Sequence, residues 1–218
     1  MAITLTSLKN LSVPNASGNA NLLMPKLKYR FRVILENFGN VVGASTDLTK
    51  QVVTAARPQV QFENQVIHVY NSQINYAGKH TWQPMNLVVR DAVDNSVSRL
   101  VNAQLQKQVD FFEQASASSG GDYKFVTVIQ VLDGGNGDTD TPNVLEQWEC
   151  LGCYLQTVNF NEMTYAESAP MEIALTIQFD NALCVDGKNA AIGAGAGAAL
   201  GQSTGILASA LATGQIAI

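Results

Sequence analysis

Between Met171 and Asp180 the chain alternates without a break: Met171, Ile173, Leu175, Ile177 and Phe179 are separated by Glu172, Ala174, Thr176, Gln178 and Asp180. A two-residue period places successive side chains on opposite faces of an extended strand, so one face must pack and the other must meet solvent or a partner. The same pattern appears early, where Tyr29, Phe31, Val33 and Leu35 alternate with Lys28, Arg30, Arg32 and Glu36, before Asn37 and Gly39 can turn the chain. Further extended segments are expected at Val66 to Tyr70, Lys79 to Arg90, Tyr123 to Leu132 and Glu146 to Leu155. Pro84 marks a bend or an edge in the second of these, because proline cannot donate to a ladder.

One helix interrupts the strands. Val97, Val101, Leu105, Val109 and Phe112 follow at i+4 and i+3 spacing, which predicts a helix from about Asn95 to Gln114. Asp94, Asn95 or Ser96 can cap it, and Gln104, Lys107, Gln108 and Asp110 form an expected wet face. Strands, one helix and more strands predict a mainly β, α+β fold: an antiparallel sandwich or partly open barrel with a flanking helix. This domain is expected over residues 25–184, with an N-terminal arm over 1–24 and a Gly/Ala-rich C-terminal arm over 185–218. Val41 to Gln65, around Arg57-Pro58, reads as a long excursion with short extended pieces. No repeat of solenoid type is present.

Composition narrows the function. Only 14% of the 218 residues are charged, which leaves much neutral polar surface for contacts between subunits. A net charge of -5 argues against a protein that wraps nucleic acid, which needs clustered Lys and Arg. The first residues lack the apolar core and cleavage site of a secretory signal, so folding in a cytoplasm is expected. The charge-free run Asn189 to Ile218 is long enough to cross a bilayer, but its Gly and Ala content and the break at Gln202-Ser203-Thr204 argue against a span.

Four motifs invite chemistry, and each has a plainer reading. Cys150 and Cys153 lie three apart on a predicted strand, where their thiols should diverge, and no second Cys pair or His completes a metal site. With Cys184 they make no even disulfide framework, so reduced thiols are expected. His68 and His80 sit in predicted strands without partners at a catalytic spacing and are expected at a sheet surface or interface. The glycines from Gly193 to Gly201 lack the Gly-Lys-Ser/Thr ending of a phosphate loop. Asp133 to Asp140 carries three carboxylates in neither of the common calcium spacings and reads as a hairpin tip. No catalytic residue, cofactor or metal is expected.

The stretch Val69-Tyr70-Asn71-Ser72-Gln73-Ile74-Asn75-Tyr76-Ala77-Gly78-Lys79, leading into Thr81-Trp82, follows the early strand. Leu87-Val88-Val89-Arg90-Asp91, the helix, Leu151-Gly152-Cys153-Tyr154-Leu155, Asn159-Phe160 and Ile173 to Asp180 come after it. In this order, over residues 28–183, the chain resembles the tail tube proteins of contractile-tailed bacteriophages. The resemblance implies six copies closing into a ring and rings stacking into an inner tail tube. It also implies a sheath around the tube, baseplate and tail terminator proteins at its ends, and a tape measure protein within. Double-stranded DNA would pass through without being bound, in a virion tail assembled in the host cytoplasm. On that reading Val41, Thr46, Lys50, Arg57 and Gln61 are expected at contacts between rings, and Glu172, Gln178 and Asp180 in an acidic to neutral lumen. The tube of a contractile bacteriocin or secretion system is the nearest alternative, and a monomeric ligand-binding β-barrel is the alternative of another class.

Overall fold

The computed structural model describes residues 25–40, 46–133, 143–166, 168–186 and 191–192. The described residues up to Arg30 belong to one unit, and those from Phe31 onward to another. In the first, the Arg30 amide donates to the Leu27 carbonyl at 3.2 Å in a turn, and the Arg30 guanidinium lies 5.5 Å from the centre of the Tyr29 ring. This turn delays the first strand, whose alternation begins in the sequence at Lys28, to Phe31.

The second unit runs β1 (Phe31–Glu36), α1 (Thr46–Gln51), β2 (Val52–Ala55), β3 (Gln59–Val69), β4 (Ser72–Gln83), β5 (Met85–Arg90) and α2 (Ser96–Gln108). It continues β6 (Val109–Asp110), β7 (Ala115–Ser116), α3 (Gly120–Tyr123), β8 (Phe125–Leu132), β9 (Val144–Asn159), β10 (Glu172–Gln178), β11 (Asn181–Asp186) and β12 (Ala191–Ile192). The main strand path is β1-β8-β9-β10-β5-β2, antiparallel throughout, and among the described residues its ends do not pair, so the barrel stays open.

The 16-residue β9 makes this path a sandwich. Its first part pairs with β8 on one side and β11 on the other, with Leu151 opposite Asn181 and Glu146 opposite Asp186. Its last part pairs with β10, with Tyr154 opposite Gln178 and Asn159 opposite Ala174. The two ladders on this side have nearly the same register, so residues 172–186 act as one partner strand that bends where β9 bends, at Gly152. Strands that switch sheets at such a bend form the corner of a sandwich. One sheet therefore holds β1, β8, β11, β12 and the start of β9, and the other holds the end of β9, β10, β5 and β2.

Inward side chains meet in cross-strand rows. Leu35, Thr127, Cys150 and Ala182 form one, and Val33, Ile129, Trp148 and Cys184 the next. Facing them from the other sheet are Val89 with Ile173, Leu87 with Leu175 and Met85 with Ile177, and all belong to one buried cluster apart from the half-buried Trp148, the buried polar Thr127 and Cys184. Burying each Val, Leu or Ile stabilises the fold by about 1.5–3 kcal/mol. On the outward face of the first sheet, Arg32 donates twice to Gln130, which donates to Gln147, which donates to Glu149.

The helix closes one side of this core with Val97 and Val101. It is shorter than its apolar stripe predicts, ending at Gln108, because the Asp110 carboxylate accepts from the amides of Phe112 and Glu113 and turns the chain into the β6–β7 pair. Phe112 is 96% exposed as a result, not part of the core stripe. The expected wet face is also partly dry. Gln104 is fully buried, accepting from the Gly39 amide and donating to the Tyr123 carbonyl. Gln108 bonds both the amide and the carbonyl of Leu155. The segment read as a long excursion instead supplies a short helix with Leu48 in the core, the edge strand β2 and the start of β3. β11 continues past residue 184 to Asp186, and β12 pairs with Cys184 and Val185.

Candidate assembly interface

Among the described residues β3 and β4 pair only with each other. Val60, Phe62, Val66, Ile67 and Val69 are interspersed with Gln, Glu, Asn and His along β3, and Ile74, Tyr76 and Trp82 serve β4, a β-branched and aromatic content suited to strands. The ladder shifts by one residue between Phe62 and Asn64, opposite Gly78, where a Cβ would come within 3.0 Å of Gln65 and 3.1 Å of the Glu63 carbonyl. Amide side chains bridge the strands, Asn64 to Asn75 and Gln83 to Gln61.

This hairpin has no covered face. Apart from Gln65 and Gly78, its residues from Gln59 to Thr81 are exposed, among them Phe62, Ile67, Val69, Ile74 and Tyr76, each at least half in solvent. Tyr70 at the tip is completely exposed and holds a φ of 44°, a left-handed conformation that is costly for an aromatic residue. A two-stranded hairpin is marginally stable alone in water, and clustered exposed apolar side chains mark interaction sites. Only the root is anchored: Trp82 packs on the core, 5.6 Å from the Phe179 ring, and its carbonyl accepts from Gln178.

At the far end of the second sheet, residues 160–171 join β9 to β10. Asn161 donates to the Glu172 carbonyl at 2.8 Å across the base of this loop, and the Asp91 amide donates to the Met171 carbonyl at 2.9 Å. The loop surrounds a concavity of ≈ 890 Å³ and exposes Phe160, Met163, Tyr165 and Met171. Its mixed Asn, Glu, Met and Pro composition has no period, so sequence reasoning missed it. The signal available was the group of large apolar side chains Phe160, Met163, Tyr165 and Met171 within one short connection.

The residues expected between rings fall on different elements. Thr46 and Lys50 lie on α1, and Gln61 on β3 accepts from Gln83. Arg57 precedes β3 and ion-pairs with Glu146 at 3.6 Å, while Val41 lies outside the described residues. Of those expected in the lumen, Glu172 and Gln178 share the outward face of β10 with Thr176, which bonds Asn86 of β5. Asp180 lies beyond β10 at the sandwich corner, ion-paired with Lys124 at 2.5 Å. That hydrogen bond is the main cause that holds the Lys124 ammonium above the usual lysine range.

Cys150 and Cys153 do not diverge as their spacing predicts. The four residues of β9 from Cys150 to Cys153 oppose the three of β8 from Thr127 to Phe125, and this bulge at Gly152 turns both thiols into the core. The Cys153 thiol donates to the Cys150 carbonyl at 3.2 Å. Burial pushes it up to about 11 and pushes Cys150 higher still. All three cysteines are buried. His68 and His80 are exposed on the hairpin, His80 between Phe62 and Trp82. Among the described residues no group of three or more His, Cys, Asp or Glu is placed to hold a metal, and no helix is long and apolar enough to cross a membrane. Most of the Asp133 to Asp140 turn, and the glycine run from Gly193, lie outside the described residues.

No family model matches this chain, and no curated protein matches it significantly in sequence. Solved structures match it in fold. A chain of the anti-feeding prophage tube terminating cap is 13% identical with a TM-score of 0.54, over 85% of this chain and 99% of that one. A chain of the six-fold symmetrised anti-feeding prophage baseplate gives 9% and 0.53, over 77% and 100%. A chain of the sheath-tube complex of an extracellular contractile injection system gives 10% and 0.50, over 76% and 94%. The fold of this chain is similar to the fold of these chains. At these identities the likeness is one of architecture. The observed strand pairing and helix bear out the mainly β antiparallel sandwich with a flanking helix that the strand and helix order predicts.

Proposed function

We propose that this chain is a structural, non-enzymatic subunit of the tube of a contractile injection device, with copies closing into rings and rings stacking end to end. The observation that carries this reading is the hairpin Gln59–Gln83, uncovered on both faces and apolar at its tip, on a tail-tube-like sandwich. A lone subunit gains little from such an arm, whereas a neighbouring copy can cover it. Six copies per ring agree with the symmetry of the baseplate to which the fold is similar. Open sheet edges at β1 and β2 suit closure of the ring by strand-edge contacts.

In this reading Thr46, Lys50, Arg57 and Gln61, with Val41, contribute contacts between rings, and the outward face carrying Glu172 and Gln178 lines the lumen, with Asp180 at its margin. An acidic to neutral wall keeps a polyanion from sticking. Partners are further copies of the chain, a sheath around the tube, baseplate and terminator proteins at its ends and a tape measure protein inside. The C-terminal arm, residues 185–218, serves assembly. The device is a phage tail that conducts double-stranded DNA. The tube of an extracellular or secretion-type injection system is the second reading, favoured by the likeness to the anti-feeding prophage and to the extracellular injection system. Neighbouring capsid and packaging genes would decide for the phage.

Negative-stain microscopy of the purified protein tests the proposal. Tubes are expected from the full chain, and rings or single subunits from a variant whose hairpin is replaced by a short Gly-Ser turn. A protein that stays monomeric in gel filtration at high concentration, with no tubes or rings, would return the chain to the class of monomeric β-barrels.

A further inference from the structure

Thr127, Val128, Ile129 and Gln130 follow one another along β8, and all of them are buried. Successive side chains of a strand point to opposite faces, so β8 is covered on both sides. The sandwich accounts for one side only. Thr127 and Ile129 face the second sheet, whereas Val128 and Gln130 face away from it, in one row of Ile34, Val128, Glu149 and Leu183 and another of Arg32, Gln130 and Gln147. On this outward face Val128, Gln130 and Glu149 are 6%, 9% and 5% exposed, and the other residues of the two rows are half-buried. The outward rows of the second sheet differ, since Asn86, Arg90, Thr157 and Asn159 lie open to solvent. Leu48 of α1 and Val97 and Val101 of α2 sit in the core cluster on the inward side, so neither helix covers the outward one.

We infer that residues 193–218 of the same chain, which lie outside the described residues, dock on this outward face of the first sheet. The place where they start favours this occupant. β12 runs antiparallel beside the end of β11, with Ala191 opposite Val185 and Ile192 opposite Cys184. One residue further, the same register arrives at Leu183, the end of the row that holds Val128 and Glu149. The length also suffices. The face is four strands wide, β1, β8, β9 and β11, or about 15–20 Å at ~4.8 Å per strand. Residues 193–218 cross that width even when wholly helical, at ~1.5 Å per residue.

The chemistry of the two surfaces matches. Arg32 and Glu149 end one hydrogen-bonded chain that runs through Gln130 and Gln147, so the two rows balance their own charge. A charged cover would leave an unpaired ion on a buried face. Residues 193–218 hold no Asp, Glu, Lys, Arg or His, and they bring apolar Leu200, Ile206, Leu207 and Leu211 to meet Ile34, Val128 and Leu183. The inference goes beyond the tube reading and does not rest on it. A single subunit carries the docked segment, which then forms the outer surface that this side of the subunit offers to a neighbour.

Thiol labelling of dilute, single subunits tests the docking. Val128→Cys places a reactive group at the centre of the face, and Thr157→Cys places one on the open face of the second sheet as a control, while the native thiols are buried. Each variant is made in the full chain and in a chain ending at Ile192, and is treated with iodoacetamide under native conditions. The V128C thiol is expected to react about tenfold or more faster after truncation, with the T157C rate unchanged. Equal V128C rates in the two chains would overturn the docking: fast rates mean that the face is open, and slow rates that something else covers it. A second measurement needs no truncation and decides the matter where the shortened chain does not fold. A photo-reactive phenylalanine analogue replaces Leu183 in the full chain, light and heavy isotope-labelled subunits are mixed, and the irradiated products are mapped by mass spectrometry. Links from position 183 to residues 193–218 of the same chain are expected. No link to that segment, or links between light and heavy chains, would overturn the docking. Neither measurement uses tubes, so the tube reading stands or falls separately by microscopy.

Discussion

The Asp180 carboxylate occupies the space where a Cβ of Gly152 would stand, and Gly152 holds a φ of 68°. Both features require glycine. The bend at Gly152 swings β9 from one sheet to the other, and the open space above it lets Asp180 reach Lys124. Gly152→Ala is expected to destabilise the subunit by about 2–4 kcal/mol, from left-handed strain and overlap together. The ion pair itself is solvent-exposed and is worth ~0–1 kcal/mol, so Asp180→Ala alone should cost little. The double variant should recover part of the loss. Denaturant titration of the three variants measures this, and an additive double variant would refute the overlap.

Gln104 ties the helix to two chain segments distant in sequence. Gln104→Leu keeps the volume but strands the Gly39 amide and the Tyr123 carbonyl in the interior, each at a cost of about 1–3 kcal/mol. A combined loss of about 2–4 kcal/mol is expected, read as a lower denaturation midpoint at unchanged slope. A neutral result would mean that both groups find other partners.

Phe112 and Val101 share the apolar stripe in the sequence but not in the fold. Phe112→Ser should change stability by less than ~0.5 kcal/mol, since the ring is 96% exposed. Val101→Ala, inside the core, should cost about 1–3 kcal/mol. Thermal melts of the two variants check the contrast.

Alkaline pH should weaken the fold. The unfolded thiols ionise near their ordinary value of 9.0, while burial keeps Cys150 and Cys153 protonated in the folded subunit. The folded state then binds more protons, so stability falls as pH rises, by about 1.4 kcal/mol per pH unit for each thiol. This window runs from 9.0 to about 11, where Cys153 ionises in the fold. The Lys124 contribution has the same sign: it is complete below the ordinary 10.5 and lost as pH climbs through the raised folded value. Denaturation midpoints from pH 8 to 11 check the slope. Iodoacetamide at pH 8 should modify the thiols only after unfolding.

The strands were legible wherever one face is buried, because burial imposes the two-residue period that Ile173, Leu175 and Ile177 display. The sandwich corner was not, since the bulge at Gly152 depends on a residue of β11's approach, Asp180, that local pattern cannot supply. The helix end was hidden for a different reason. Val109 and Phe112 continue the apolar spacing, and only the turn made by the Asp110 carboxylate stops the helix. Of the candidate interface, β3 and β4 could be placed as strands, but their exposure on both faces could not be read, because an apolar residue bound for a partner looks like one bound for the core. The 160–171 loop has neither a period nor a motif, and its position at the end of the sheet opposite the hairpin comes from strand pairing alone.

Because β9 and its partner strand 172–186 belong to both sheets, neither sheet can detach while the other stays intact. Amide protons of β8 and β5, on different sheets, should therefore exchange with solvent through one global opening event. Those of the β3–β4 ladder have no second layer and should exchange through local fraying in the free subunit. Slowed exchange of that ladder in assembled material would then report how much order the neighbour lends to an arm that its own sandwich leaves unsupported.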